Sequence, residues 1–141
     1  MKKPIASLKH PAAGKLALAA AAALLPLSSF AANWIGSDGN FADSANWDSA
    51  AVPANTSTDA NITNGSTVTI NSDLASFRYF NIYGGSTVEQ TAGSYTLSNR
   101  FFLGIQQSAG TYLLSGGSVT FGNGVRIGYD RNSTGTMVLS N

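Results

Sequence analysis

A repeat with a period of 25 residues constrains the fold of this chain more than any other feature of its sequence. Three blocks open with related tetrapeptides, namely Gly85–Val88, Gly110–Leu113 and Gly135–Val138. Inside the blocks, Asn99–Gly104 aligns with Asn123–Gly128. A fixed period in this range is the signature of a solenoid, in which stacked coils bury a core that one coil could not bury alone.

Within each block, apolar and polar residues alternate over short runs that are separated by Gly, Ser, Thr and Asn. This spacing predicts short β-strands joined by turns. Side chains two residues apart face the same side of a strand, so each apolar pair is predicted to point inward and the residue between its members outward. The predicted inward pairs are Val88 and Gln90, Tyr95 and Leu97, Phe101 and Leu103, Tyr112 and Leu114, Val119 and Phe121, and Val125 and Ile127. The predicted outward residues are Glu89, Thr96, Phe102, Leu113, Thr120 and Arg126.

Three short strands per block predict one coil of a right-handed parallel β-helix, an all-β solenoid. Stacked coils place like residues above like, so we expect Tyr95 over Val119 and Phe101 over Val125. The solenoid is predicted over residues 65–141, with coils starting near positions 65, 85, 110 and 135. The first of these coils spans only 20 residues, and we expect its middle strand to be short or irregular.

The last block stops just after its first predicted strand, so the C-terminal end of the stack is expected to be open. Natural solenoids cover such an end with a cap. The sequence is therefore expected to be the front part of a longer protein or a truncated product, and self-association through the open end is a second expectation.

Residues 1–31 have the composition of a secretory signal peptide. Four lysines accompany an apolar run of mostly Ala and Leu from Leu16 to Leu27. Ser29 and Ala31 then supply small residues at positions −3 and −1 for the peptidase. We predict signal cleavage after Ala31. The alternative is an uncleaved membrane anchor, although the apolar run is short for a bilayer span.

Removing this leader changes the charge of the chain. The whole sequence has a formal charge of +1, but residues 32–141 contain four Arg and seven acidic residues, and 4 − 7 = −3. We therefore expect no nucleic-acid partner. All Lys and the single histidine, His10, lie in the leader, and the chain has no Cys. Catalysis by Ser-His-Asp or Cys-His groups and zinc or haem ligation are excluded for residues 32–141, so we expect no catalytic residue, no cofactor and no metal.

Three aspartates, Asp38, Asp43 and Asp48, are the main candidates for catalytic or metal-binding carboxylates. They could form a glycosidase pair, or gather calcium together with Asn40 and Asn46. Their spacing of five follows no strand register, and each lies in a turn-rich context where Asp normally bonds its own backbone. The turn interpretation is therefore favoured.

Residues 32–64 do not follow the repeat and are predicted to form an N-terminal cap segment. Both tryptophans of the chain lie there. A terminal coil needs cover for its open apolar face. The candidates for that cover are Trp34, Phe41, Trp47 and Val52.

The same segment resembles the start of large exported bacterial proteins, which carry the repeat associated with type V secretion (autotransporters) and with PEP-CTERM surface proteins. The residues that carry the resemblance at this end are Ala45-Asn46-Trp47, Val52-Pro53 and Asp59-Ala60. In the repeats they are Gly110–Gly117, Val125–Gly128 and Thr134–Thr136. The resemblance implies a β-helical passenger or surface protein of a Gram-negative-type bacterium. Association with the outer membrane would then depend on a C-terminal region absent from this sequence.

Together these features predict an exported cell-surface protein with a structural or adhesive role and no catalysis. It would be secreted or held at the outer cell surface, with cell-surface or extracellular glycans as partners. Tyr83 and Phe102 are the candidate sugar-stacking residues, unless a loop or a neighbouring coil covers them. The alternative is a polysaccharide-binding or polysaccharide-degrading β-helix whose active coils lie beyond residue 141. Such an enzyme should cluster Asp, Arg or Lys on one outward strand over successive coils, whereas the outward residues compared above vary, which favours the structural role.

Overall fold

Short runs of two to six residues, most of them alternating in burial, form the strands of this protein, and turns rich in Gly, Asn and Ser separate them. The computed structural model describes residues 31–140, and a short 3-10 helix, Ser44–Asn46, is the single helical element in that range. Within residues 31–140, no helix is long and apolar enough to cross a membrane. The strands are β1 Ala31–Asn33, β2 Gly39–Asn40, β3 Asp59–Ile62, β4 Thr67–Ile70, β5 Tyr79–Ile82, β6 Ser86–Gln90, β7 Ser94–Leu97, β8 Phe101–Leu103, β9 Ala109–Leu114, β10 Ser118–Phe121, β11 Val125–Ile127 and β12 Thr134–Leu139.

These strands form three parallel sheets that run along the stack. Sheet A has the order β1-β3-β5-β8-β11, and sheet C has the order β2-β4-β6-β9-β12. Among residues 31–140, sheet B consists of β7 and β10. Each turn of the chain adds one strand to sheet A and one to sheet C, and the whole is a parallel β-solenoid of about five turns. The predicted all-β solenoid is confirmed.

The register of the strands follows the repeat in the sequence. Tyr95 pairs with Val119, and Phe101 pairs with both Val125 and Phe80. The shorter coil that begins near residue 65 has no regular third strand. In its place, one isolated parallel bridge joins Phe77 to Leu97 in the next coil.

The interior is a continuous stack of apolar side chains, many of them aromatic. Phe80 lies at its centre, with its ring 5.4 to 6.1 Å from four other aromatic rings. The predicted inward residues that are buried are Val88, Gln90, Tyr95, Leu97, Phe101, Leu103 and Tyr112. The predicted inward residues of the later strands are only partly buried, and Ile127 is 47 % exposed. Strand β11 pairs on one edge only within residues 31–140, so its inward side chains are covered from one side.

The segment predicted as a cap closes the N-terminal end of this interior with three buried aromatic residues. The rings of Trp34 and Trp47 meet edge to face at 5.3 Å, and the indole N–H of Trp47 donates to the carbonyl of Phe41 at 2.9 Å. The segment also contributes β1, β2 and β3 to sheets A and C. The boundary at residue 64 remains a prediction.

The predicted leader lies outside the described residues, apart from Ala31. That residue is the first of β1 and pairs with Asp59. Cleavage after Ala31 would leave Ala32 and Asn33 of β1 paired with β3.

Candidate functional site

The outer face of sheet A brings together the polar and aromatic side chains that are best placed to meet a ligand. Strand alternation points every second side chain of this sheet outward. In successive coils the register aligns one outward side chain of each strand in a single column: Asn33, Asn61, Asn81, Phe102 and Arg126. The face therefore changes from amides near the N-terminal end to an aromatic ring and a cation further along.

The three amides form a hydrogen-bonded column, here called the asparagine ladder. The amide of Asn81 donates to Asn61 Oδ1 at 2.7 Å, and the amide of Asn61 donates to Asn33 Oδ1 at 2.9 Å. Asn33 in turn donates to the carboxylate of Asp48 through its side chain at 2.7 Å and its backbone N–H at 2.9 Å. These bonds favour the charged carboxylate and lower the pKa of Asp48.

Beyond the ladder, three outward rings form what we call the aromatic row. The ring of Phe102 lies between those of Tyr79 and Tyr129, with centroid distances of 6.0 Å on each side. The three rings come from three successive coils. Tyr129 is 56 % exposed, and the other two are half-buried.

Arginine side chains border the aromatic row. The guanidinium of Arg126 lies 4.3 Å from the centre of the Tyr129 ring, a cation–π geometry. Arg78 lies 5.0 Å from the centre of the Tyr79 ring and donates two hydrogen bonds to Asp59, at 2.7 and 2.8 Å. This forked pair, mainly through its hydrogen bonds, raises the pKa of Arg78.

The structure places the two predicted sugar-stacking residues differently. Phe102 is at the centre of the aromatic row. Tyr83 directly follows β5, and its ring makes none of the ring contacts that join the row within residues 31–140. Phe102 is therefore the better placed of the two, and its proposed role remains a prediction.

Sequence reasoning missed Tyr79, Tyr129 and the asparagine ladder. Phe80 aligns with Phe101, so alternation alone would have placed Tyr79 and Asn81 outward. Tyr129 follows Gly128, whose φ of 58° turns the chain at the end of β11, and no repeat signal marked it. The ladder was hidden because the first two amides lie in the segment that does not follow the repeat.

The three aspartates that could have held a metal or acted as catalytic acids are acceptors for nearby groups. Asp38 accepts the backbone N–H of Thr67 at 2.6 Å, and Asp43 accepts that of Ala45 at 3.0 Å, where it caps the 3-10 helix. Asp48 accepts from Asn33, as described above. Within residues 31–140 no group of three or more His, Cys, Asp or Glu side chains is arranged to hold a metal ion.

A hydrogen-bonded polar network lies inside the solenoid around Gln90, which alternation predicts to point inward. The hydroxyls of Tyr95 and Tyr112 are 2.9 Å apart, and the Tyr112 hydroxyl donates to Gln90 Oε1. The Gln90 amide donates to the carbonyls of Gly93 at 2.8 Å and Ser118 at 3.3 Å. Burial raises the pKa of Tyr112 to about 12 and that of Tyr95 well above its ordinary value. Each buried side-chain polar atom of Gln90, Tyr95 and Tyr112 has a hydrogen-bond partner, so this network stabilises the core and leaves no polar atom free to bind a ligand.

An apolar cavity of about 280 Å³ lies between β9, β10 and β12, in the last described coils. Leu114, Phe121, Met137 and Leu139 are among its lining residues. It continues the core at the end of the stack, where β10 and β12 each pair on one edge only within the described range. Self-association at this end of the stack stays a prediction.

Comparisons of the chain with family models, with curated proteins and with solved structures gave no match.

Proposed function

We propose that this chain is an exported, non-catalytic β-solenoid with a structural or adhesive role at the outer surface of a Gram-negative-type bacterium. The observation that carries the proposal is the register of the coils, which presents outward side chains as rows along the stack. Rows of this kind offer length and many similar contacts rather than one enclosed cleft. The signal-peptide composition of residues 1–31 supports export.

The use of the acidic side chains supports a role without catalysis. Seven acidic residues lie in residues 31–140, and six of them accept hydrogen bonds from the chain itself. Carboxylates that hold turns and arginines in place are poorly suited to protonate a glycosidic oxygen or to attack a sugar. The six are Asp38, Asp43, Asp48, Asp59, Asp73 and Asp130.

The aromatic row supports an adhesive role more than a purely structural one. A stalk needs only a polar exterior, whereas this face exposes rings of Tyr79, Phe102 and Tyr129 beside cations. The same observation favours the binding form of the alternative function, a polysaccharide-binding β-helix. A polysaccharide-degrading protein is the remaining alternative.

Export can be tested by expressing the full chain in a Gram-negative host. We expect a mature product that begins at Ala32 and is found outside the cytoplasm, in the periplasm or the medium. The Ala31→Leu variant should not be cleaved, because a large residue at position −1 blocks the peptidase. Ala42→Leu is the matched control, since it makes the same change at an exposed alanine outside the leader.

Two results would contradict the proposal. One is wild-type protein that stays uncleaved in the cytoplasm. The other is the release of reducing ends when the purified chain is incubated with a polysaccharide, which would favour the degrading alternative.

A further inference from the structure

The cations of the described residues are unevenly distributed over the surface. Residues 31–140 contain four Arg, no Lys and seven acidic residues, a formal charge of 4 − 7 = −3. Three of the four Arg belong to sheet A or directly precede one of its strands: Arg78 before β5, Arg100 before β8 and Arg126 within β11. Sheet A thus concentrates positive charge on a protein whose described part is negative overall.

Two of these cations have no carboxylate partner in the part of the chain that the structure describes. The salt bridge found within residues 31–140 joins Arg78 to Asp59 and leaves that pair neutral. Arg100 and Arg126 form none in this range, and Arg126 is held over the ring of Tyr129. A guanidinium stacked on a ring keeps its N–H edge available for a carboxylate or a sulfate.

The aromatic row lies along the same face as these cations. Its rings follow the stack from coil to coil, and parallel strands repeat at about 4.8 Å. The row continues into the asparagine ladder, whose amides lie in the same column as Phe102. One extended face therefore offers rings for stacking, amides for hydrogen bonding and unpaired guanidinium groups.

We propose that this face binds an acidic polysaccharide, a glycan chain whose sugars carry carboxylate or sulfate groups. This inference rests on the proposed adhesive function and names the chemistry of its ligand. A pyranose ring has an apolar face that can stack on Phe102 or Tyr129, and its hydroxyls suit amide partners. Its anionic group would meet Arg126 or Arg100. Because the row crosses several coils, a polymer would gain more contacts than a single sugar.

Charge argues against a nucleic acid as the ligand. A nucleic acid presents one phosphate per nucleotide, and its binding depends on neutralising many of them. Two unpaired arginines on an otherwise negative protein are too few for that, whereas a glycan can supply its remaining contacts through ring faces and hydroxyls.

The inference can be tested by affinity electrophoresis of the purified chain through gels that contain one polymer each. The probes are polygalacturonate, which carries carboxylates, dextran sulfate, which carries sulfates, neutral dextran, and single-stranded DNA as the nucleic-acid comparison. We expect retardation by one or both acidic polymers, weakened by added salt, and none by dextran. Stronger retention by polygalacturonate would assign the ligand group as a carboxylate, and stronger retention by dextran sulfate would assign it as a sulfate.

Substitutions locate the site. Arg126→Gln should weaken binding about three- to tenfold, because it removes one charge-assisted contact at the surface. Phe102→Thr should weaken it about fivefold or more, through lost stacking. Arg131→Gln is the charge-matched control in the turn that follows β11, and we expect it to change binding by less than about twofold. Circular dichroism of each variant would verify that the fold is retained.

Three results would overturn the inference: equal retention by dextran and the acidic polymers, tighter binding of single-stranded DNA than of either acidic polymer, or an equal effect of Arg131→Gln and Arg126→Gln. The export test described above separates this inference from the proposed function. If the chain is exported but does not bind acidic polymers, only the proposed ligand chemistry is refuted. A chain that binds them in the gel but is never exported refutes the surface role.

Discussion

Phe101 and Phe102 are neighbours in β8 whose side chains point to opposite faces, so replacing each with alanine tests the solenoid directly. Phe101 is fully buried, and its ring lies 5.1 to 5.5 Å from those of Phe80, Tyr112 and Phe121. Removing a buried Phe side chain costs about 3–5 kcal/mol of the free energy of unfolding. The Phe102 ring is half-buried and contacts two rings at 6.0 Å, so its removal should cost only about 1–2 kcal/mol.

The measurement is urea unfolding of each variant, followed by circular dichroism and by the fluorescence of the two buried tryptophans. We expect Phe101→Ala to lower the free energy of unfolding by at least about 2 kcal/mol more than Phe102→Ala. Phe101→Leu keeps an apolar side chain of similar size and should lose about 1–2 kcal/mol, which keeps the comparison measurable if the alanine variant does not fold. Equal losses, or a larger loss for Phe102→Ala, would refute the assignment of inward and outward faces.

Three further predictions concern the buried hydroxyls, the turns and the asparagine ladder. Burial raises the pKa values of Tyr95 and Tyr112, so their contribution to stability is complete below pH 10 and is lost as the pH rises through the folded value. Between pH 10 and 12 the free energy of unfolding should therefore fall by about 2 kcal/mol on account of Tyr112 alone. Gly93→Ala should cost about 3 kcal/mol or more, because φ is 77° and a Cβ would overlap the backbone of Ser72. Asn61→Ala should cost about 1–2 kcal/mol, because it removes the middle of the ladder.

Each of these predictions has a matched control. Urea titrations at pH 9 to 12 should give a flatter profile for Tyr112→Phe, and an unchanged profile would argue against the buried phenol as the cause. Gly85 has a φ of 80° but open space around a Cβ, so Gly85→Ala should cost only about 1–2 kcal/mol. If both glycine variants lose the same stability, the close backbone approach at Gly93 is unimportant. Thr96→Ala, at an exposed outward position, should change stability by less than about 0.5 kcal/mol. If Asn61→Ala causes an equally small loss, the asparagine ladder does not contribute measurably to stability.

The repeat predicted most of the fold because it contains two periods: the alternation within each block predicts the strands, and the 25-residue spacing of the blocks predicts the coils. Residues such as Tyr95 and Val119 could be paired across coils from their positions alone. The strands β1 and β2 of the N-terminal segment could not be predicted in this way, because they are only three and two residues long and have no alternating pattern of their own. Tertiary pairing with β3 and β4, rather than local propensity, fixes them.

The candidate site was only partly visible in the sequence. Alternation placed Phe102 and Arg126 outward, and the structure confirms that they share one column. The contacts of Phe102 with Tyr79 and Tyr129 depend on register and on a turn after β11, neither of which the apolar pattern specifies. Gln90 shows the same limit, since its polar partners come from a tyrosine one coil away and from two carbonyls.

The asparagine ladder has a direction, and that direction has an electrostatic consequence. Every amide N–H in it points toward the N-terminal end of the stack, so the side-chain dipoles add head to tail as peptide dipoles do along an α-helix. The positive end of this series meets the carboxylate of Asp48. A mutation at Asn81, two coils away, should therefore change how readily Asp48 takes up a proton, because it shortens the series of aligned dipoles that ends at this carboxylate.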